Sequence, residues 1–177
     1  MRTYFAFALL FMLTPLTAQS DIREVGVRFN NFDNFNLLLK KQIDENTYRR
    51  YGLLLANVNL LVGENDVRAA QFEVSASIGK ERRRDIGNDI QFVTGWQPSI
   101  GLGLTASESV TCVSVTPGIG YLLGFQYNIS DNFYVAVEAI PSVNFALTVG
   151  DIAAARLQAG ISTAGVGITA VYRFVKE

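Results

Sequence analysis

Histidine is absent from the sequence, and that absence excludes more than any residue present suggests. Ser–His–Asp and Cys–His catalysis both need an imidazole to move protons near neutral pH, so most hydrolytic mechanisms are closed off. Zinc sites built on His are equally excluded, and Cys112, the single cysteine, cannot supply a multi-thiolate site. Nor can one cysteine form an intrachain disulfide, so an exported domain of this size must stand on burial and backbone pairing alone. No catalytic residue, metal or cofactor is expected. Basic residues are missing from a long stretch: positions 85 to 155, 71 residues, contain no Lys or Arg. Across 90–150 the only charged residues are Glu108, Asp131 and Glu138. Beyond residue 20 no apolar run approaches the roughly 20 residues that a membrane-spanning helix needs.

What is present begins with a processing segment. Met1-Arg2 is a short positive start, residues 5–13 (FAFALLFML) are unbroken apolar, and Pro15 ends that run. Ala18-Gln19-Ser20 then supplies the small residues that a signal peptidase needs. Residues 1–20 are expected to be a signal peptide and 21–177 a single exported domain. Without the leader the chain keeps 14 basic and 16 acidic residues, a net charge of −2. That balance gives no footprint for nucleic acid.

The mature chain alternates with period two. Val113, Val115, Pro117, Ile119, Tyr121, Leu123, Phe125, Tyr127 and Ile129 fall on one face, with Ser114, Thr116, Gly118, Gly120, Gln126 and Asn128 among the residues on the other. A helix would place its apolar residues three and four apart, which this segment does not. The same reading gives eight strands, at 22–30, 35–43, 47–62, 67–82, 88–106, 110–129, 133–149 and 156–175. Connections fall at 31–34, 44–46, 63–66, 83–87, 107–109, 130–132 and 150–155. All are short, so sequence neighbours should pair as antiparallel hairpins in an up-and-down meander.

A meander of eight strands suits either a soluble lipocalin-like barrel or a membrane barrel, and the two differ in which face is wet. The face opposite the apolar residues is here Gly, Ser, Thr, Ala, Gln and Asn, poor for solvation but suited to a narrow lumen. The apolar face carries none of the charges that cost about 2–4 kcal/mol at a bilayer midplane. The expected fold is therefore all-β, an eight-stranded antiparallel up-and-down transmembrane barrel located in the outer membrane. Phe92, Tyr127, Phe133, Tyr172 and Phe174 should form its periplasmic aromatic girdle; the plainer account is the β-propensity of aromatic residues. Pro98, Pro117 and Pro141 each remove a ladder donor and should mark a belt of bulges or ladder breaks near the outer membrane surface.

These features, with the closing strand that puts Val166, Ile168, Ala170, Tyr172 and Phe174 on one face, resemble small outer-membrane barrels of the OmpA/OmpX type. Residues 40–60 (KKQIDENTYRRYGLLLANVNL) and 78–96 (IGKERRRDIGNDIQFVTGW) are similar to hairpins of small Bacteroidota outer-membrane barrel proteins. Such barrels usually end on the aromatic residue read by the assembly machinery, whereas Val175-Lys176-Glu177 follow Phe174 here. The resemblance implies outer-membrane lipid, lipopolysaccharide and the assembly machinery as partners, and a monomer.

Residues 101–106 fit the letters of a dinucleotide-binding turn but continue a strand without a βαβ context. Glycines at 101, 103, 118, 120, 165 and 167 are better read as making room in the lumen. Glu138, Glu73 and Arg173 are expected to face that lumen, either as a structural ion-pair network plugging the barrel or as a ligand or proton site. The runs at 80–85 (KERRRD) and 49–50 read as solvated periplasmic charge, with contact to lipid phosphates or peptidoglycan as the alternative. The functional expectation is a non-enzymatic barrel with a structural, envelope-integrity or partner-binding role. The alternatives are passage of small apolar molecules through a lateral opening, and a soluble secreted lipocalin-like barrel.

Overall fold

The computed structural model describes residues 22–31, 34–62, 67–107, 110–151, 153–161 and 165–174. The expected signal peptide, 1–20, lies outside the described residues. Ten strands are present: β1 (Arg23–Asn31), β2 (Asn34–Asp44), β3 (Thr47–Val62), β4 (Val67–Gly87), β5 (Ile90–Ser107), β6 (Thr111–Asn128), β7 (Phe133–Ala139), β8 (Ser142–Gly150), β9 (Ala154–Gly160) and β10 (Val166–Phe174). Eight of them close a ring in the order β5-β4-β3-β2-β1-β10-β7-β6, sealed by the β5–β6 pairing. Every pairing is antiparallel. The hairpin β8–β9 continues β7 and β10 upward and pairs with β6 through β8.

The register fixes the shape of the ring. One row of partners runs Tyr134, Val171, Gly26, Leu38, Gly52, Ser77, Ser99, Gly118 and returns at Asn144, ten residues further along the β7–β8 strand. Eight strands with that stagger tilt by roughly 40° and leave an interior just wide enough for side chains.

Two segments differ from the sequence expectation. The connection expected at 83–87 is strand: β4 runs to Gly87, and the turn is Asn88-Asp89, with φ of 52° and 60°. Asn and Asp tolerate this left-handed conformation, and a two-residue turn built from it matches the twist of the flanking strands. The strands expected at 133–149 and 156–175 are each divided. Pro141 interrupts the first, yet the register with β6 continues unchanged from Leu123–Ala139 to Gly120–Ser142. In the second the pairing shifts by three residues between Ser142–Gly160 and Ala139–Val166.

Each of the three prolines accompanies a ladder gap; the register is kept across Pro98 and Pro117, and at Pro141 it also shifts, by three residues, on the side facing β9 and β10. Bridges are missing between Ser77–Ser99 and Lys80–Trp96 around Pro98, and between Val115–Leu147 and Gly118–Asn144 around Pro117. Pairing on the other side of Pro98 and Pro117, between β5 and β6, is continuous. Water or the opposite neighbour can satisfy the freed carbonyls.

The barrel is apolar outside and charged inside. Val25, Phe125, Val137 and Ile168 point outward and are 42–58% exposed. Of the largest fully buried side chains, four are charged: Arg50, Glu24, Glu81 and Glu138. A soluble barrel needs the reverse arrangement. Among the described residues no helix is long and apolar enough to cross a membrane.

β1 and β2, at 9 and 11 residues, match the length a tilted strand needs to cross a bilayer. β4, β5 and β6 hold 21, 18 and 18 residues and rise above them. At that height β3 pairs only with β4, and among the described residues nothing pairs with the far edge of β9. Among the described residues, a notch two strands wide is therefore left above the β1–β2 hairpin.

Candidate functional site

The lower part of the lumen, from Glu24 and Tyr134 beside the rim up to Arg28 and Glu138, is occupied by a charge cluster drawn from five strands. Inward positions alternate along each strand, so β1 presents Glu24 and Arg28, β2 Lys40, β3 Tyr48 and Arg50, β4 Glu81 and Arg83, and β7 Tyr134 and Glu138. All nine are buried. Two bidentate forks organise them. Arg50 donates to both oxygens of Glu138, at 2.7 and 2.6 Å, and Arg83 to both oxygens of Glu24, at 2.9 and 2.6 Å. Glu81 joins the forks: it accepts from Arg83 Nε at 2.8 Å and Arg50 Nη1 at 3.3 Å, and pairs with Lys40 Nζ at 2.8 Å. Arg28 approaches Glu138 at 3.5 Å and donates to the Gly165 carbonyl at 2.9 Å. The Tyr134 hydroxyl bridges the two halves, donating to Glu24 at 2.7 Å and accepting from Arg83 at 3.0 Å.

Cations outnumber carboxylates here, because Arg173 at the lower edge also donates to Glu24, at 3.1 Å. Aromatic faces and backbone carbonyls take up the surplus. The Arg83 guanidinium lies 3.6 Å from the Tyr48 ring centroid, and Arg173 donates to the Asp131 carbonyl. Glycine makes room at two points. A Cβ on Gly124 would stand 2.7 Å from the Val137 carbonyl and 3.2 Å from Glu138 Cγ; one on Gly167 would stand 2.6 Å from the Phe29 carbonyl and 2.9 Å from Arg28 Nε. Above the cluster a lumen cavity of about 80 Å³, lined by Arg28, Asn36, Arg50, Ser75, Ser77, Gln97 and their neighbours, has room for only a few waters.

The residues expected in the lumen separate. Glu138 sits at the centre of the network and Arg173 at its lower edge. Glu73 shares the inward face of Glu81 but stands eight residues higher on β4, opposite Gly103, and is exposed. Sequence reasoning missed Glu24, Arg28, Lys40, Arg50, Glu81 and Arg83. The signal was present: the alternation that sorts apolar residues also sorts charges, and it divides the run at 80–85. Glu81 and Arg83 point inward, while Lys80, Arg82 and Arg84 are exposed on the outward face.

Phe92, Tyr127, Phe133, Tyr172 and Phe174 face outward on β5, β6, β7 and β10, with Phe92 against Phe125 at 5.2 Å and Tyr172 against Phe174 at 4.9 Å between ring centroids. The register and tilt set these five within about 6 Å of one another along the barrel axis. On the remaining strands, β1 to β4, the same level carries Arg23, Lys41, Arg82 and Arg84. The rim is aromatic on one half of its circumference and basic on the other.

No family model matches the sequence, and no curated protein sequence matches it. Solved structures do. Neisserial surface protein A matches with a TM-score of 0.51 and 12% identity, over 86% of this chain and 94% of that one. Ail, the attachment invasion locus protein of Yersinia pestis, matches at 0.46 and 14% identity, over 86% and 95%. Acinetobacter baumannii CarO matches at 0.39 and 10%, over 88% and 98%. The fold comparison rests on the first of these, together with the closed ring and its register. The chain has the fold of the small outer-membrane barrels of the OmpA/OmpX type: eight antiparallel strands, up and down, closed on themselves.

Proposed function

We propose that this protein is a non-enzymatic integral outer-membrane barrel with a structural, envelope-integrity or partner-binding role, sealed rather than conducting. The observation that carries this reading is the filled cross-section at Glu81 and Glu138, where Arg28, Lys40, Arg50 and Arg83 converge with side chains at most 4% exposed. A through-pore for solutes would require this network to open, and breaking a buried pair costs about 3–5 kcal/mol. Contact with partners then falls to the tall wall of β3–β6 and β8–β9, where β9 is exposed on both faces and presents an unpaired edge among the described residues. Planar-bilayer recording tests the reading: the inserted barrel is expected to give no steady conductance, and a stable open channel would overturn it.

A second reading is passage of small apolar molecules through the side of the barrel. The notch between the upper edges of β3 and β9 favours it, because it spans about three strand spacings, roughly 14 Å. Outward-facing Phe145, Leu147 and Leu157 lie beside it. Uptake of an apolar dye into liposomes holding the barrel, at a rate above empty liposomes, would select this reading; an unchanged rate selects the first.

A further inference from the structure

We infer that the basic half of the rim is a binding site for the phosphate of an anionic phospholipid, seated on the outer wall between β4 and β5; this rests on the membrane reading above. A depression of about 310 Å³ opens there, lined by Lys80, Arg82, Thr94, Gly95, Trp96 and Tyr121. Lys80 pairs in register with Trp96, and Trp96 with Tyr121, whose rings meet edge to face at 4.8 Å. The register extends this row across the other strands as Arg49, Lys41 and Arg23, and Arg82 and Arg84 follow Lys80 down β4.

Like charges directly across a sheet repel, so this arrangement calls for a compensating anion. For Lys80, Arg82 and Arg84 the outward faces of β3 and β4 supply none. β3 contains no acid, and the acids of β4, Glu73, Glu81 and Asp85, all occupy inward positions. Asp44 ends β2 two register steps below Lys41, opposite Thr47. Among the described residues Arg49, Lys80, Arg82 and Arg84 make no ion pair.

Position identifies the anion. Two residues above the row, the outward positions are Val25, Leu39, Tyr51 and Ile78, the start of the apolar wall. Because a register row climbs around a staggered barrel, Arg82 and Arg84 stand at the level of the aromatic girdle, where hydrocarbon gives way to headgroups, and Lys80 stands two residues higher on β4, roughly 5 Å up the wall. A phosphate between Lys80 and Arg82 would place its acyl chains against Trp96, 60% exposed, and Ile78, 49% exposed. Long basic side chains reach a phosphate from such a position while their stems cover apolar surface.

Trp96 is the only tryptophan, so its fluorescence reports on this depression alone. The full chain is folded into vesicles of phosphatidylcholine mixed with acyl-brominated phosphatidylcholine or acyl-brominated phosphatidylglycerol, and quenching gives the relative affinity of the two lipids at Trp96. With two cations meeting one phosphate, phosphatidylglycerol is expected to be preferred roughly twenty-five-fold, about fivefold for each cation. Lys80→Gln/Arg82→Gln should bring the ratio near unity, and each single substitution should lower it about fivefold. Lys80→Arg and Arg156→Gln, the latter high on β9, should leave it unchanged. Equal quenching by both lipids in the unaltered chain, or a preference that survives in the singly and doubly substituted chains, would overturn the site. Absence of quenching even by brominated phosphatidylcholine would overturn the membrane reading as well.

Discussion

Replacing Glu138 by Gln tests whether the lumen cluster holds the barrel together. The change keeps side-chain volume and one acceptor while removing a charge, so lost packing contributes little. Arg50 loses an ionic partner at 2.6 Å, and Arg28 and Lys40 lose theirs at 3.5 and 3.9 Å. Glu81 and Glu24 remain as the carboxylates facing Arg28, Lys40, Arg50, Arg83 and Arg173, inside a wall that lipid surrounds. Breaking a buried pair while leaving the other charge in place costs about 3–5 kcal/mol. With a urea dependence of about 2 kcal/mol per molar, the unfolding midpoint should fall by roughly 2 M. The assay is equilibrium unfolding of the barrel in phosphatidylcholine vesicles, followed by Trp96 fluorescence and by the heat-dependent shift in electrophoretic mobility. Glu73→Gln provides the comparison: it lies on the same strand face but is exposed, and should change stability by no more than about 0.5 kcal/mol. Combining Glu138→Gln with Arg50→Met should cost less than the sum of the single changes, because the pair is removed together. Equal losses at 73 and 138, or no loss at 138, would refute the argument.

Tyr134→Phe removes the hydroxyl that bridges Glu24 and Arg83, and should cost about 1–3 kcal/mol in the same unfolding assay. Ile168→Arg puts a charge on the outward face at mid-height of β10 and should cost about 2–4 kcal/mol, whereas Leu157→Arg, on β9 above the β1–β2 hairpin, should cost about 1 kcal/mol or less. Similar costs at the two positions would contradict the assigned membrane level.

The strands were legible in the sequence because one face of each alternates with the other, and the closed ring follows from short connections between sequence neighbours. The turn after β4 was misplaced because Arg84-Asp85 has the polarity of a loop, whereas the backbone turns at Asn88-Asp89, where both φ angles are positive. The division of the last two expected strands depends on long-range register and is not written in any local pattern. For the lumen, face was readable and height was not: Glu73 and Glu81 have the same parity on β4, yet only Glu81 reaches the level of Lys40 and Arg50. That level is set by the ten-residue stagger of the ring, which no single strand contains. The charge run at 80–85 has the polarity of one solvated cluster, but strand alternation divides it, with Glu81 and Arg83 inward and Lys80, Arg82 and Arg84 outward.

The pairing of β1 with β10 joins Arg23 to Phe174, so the two ends of the domain form the seam that closes it. Glu24, on one side of this seam, is held by Arg173 on the other and by Arg83 from across the lumen. Until the last strand arrives, those charges lie on the open inner surface of an unfinished sheet, a surface that hydrocarbon would reject. Closure hides them and completes their ion pairs in the same step. Burying these charges inside the closed ring is therefore expected to favour the finished cylinder over a partly zipped sheet in the bilayer.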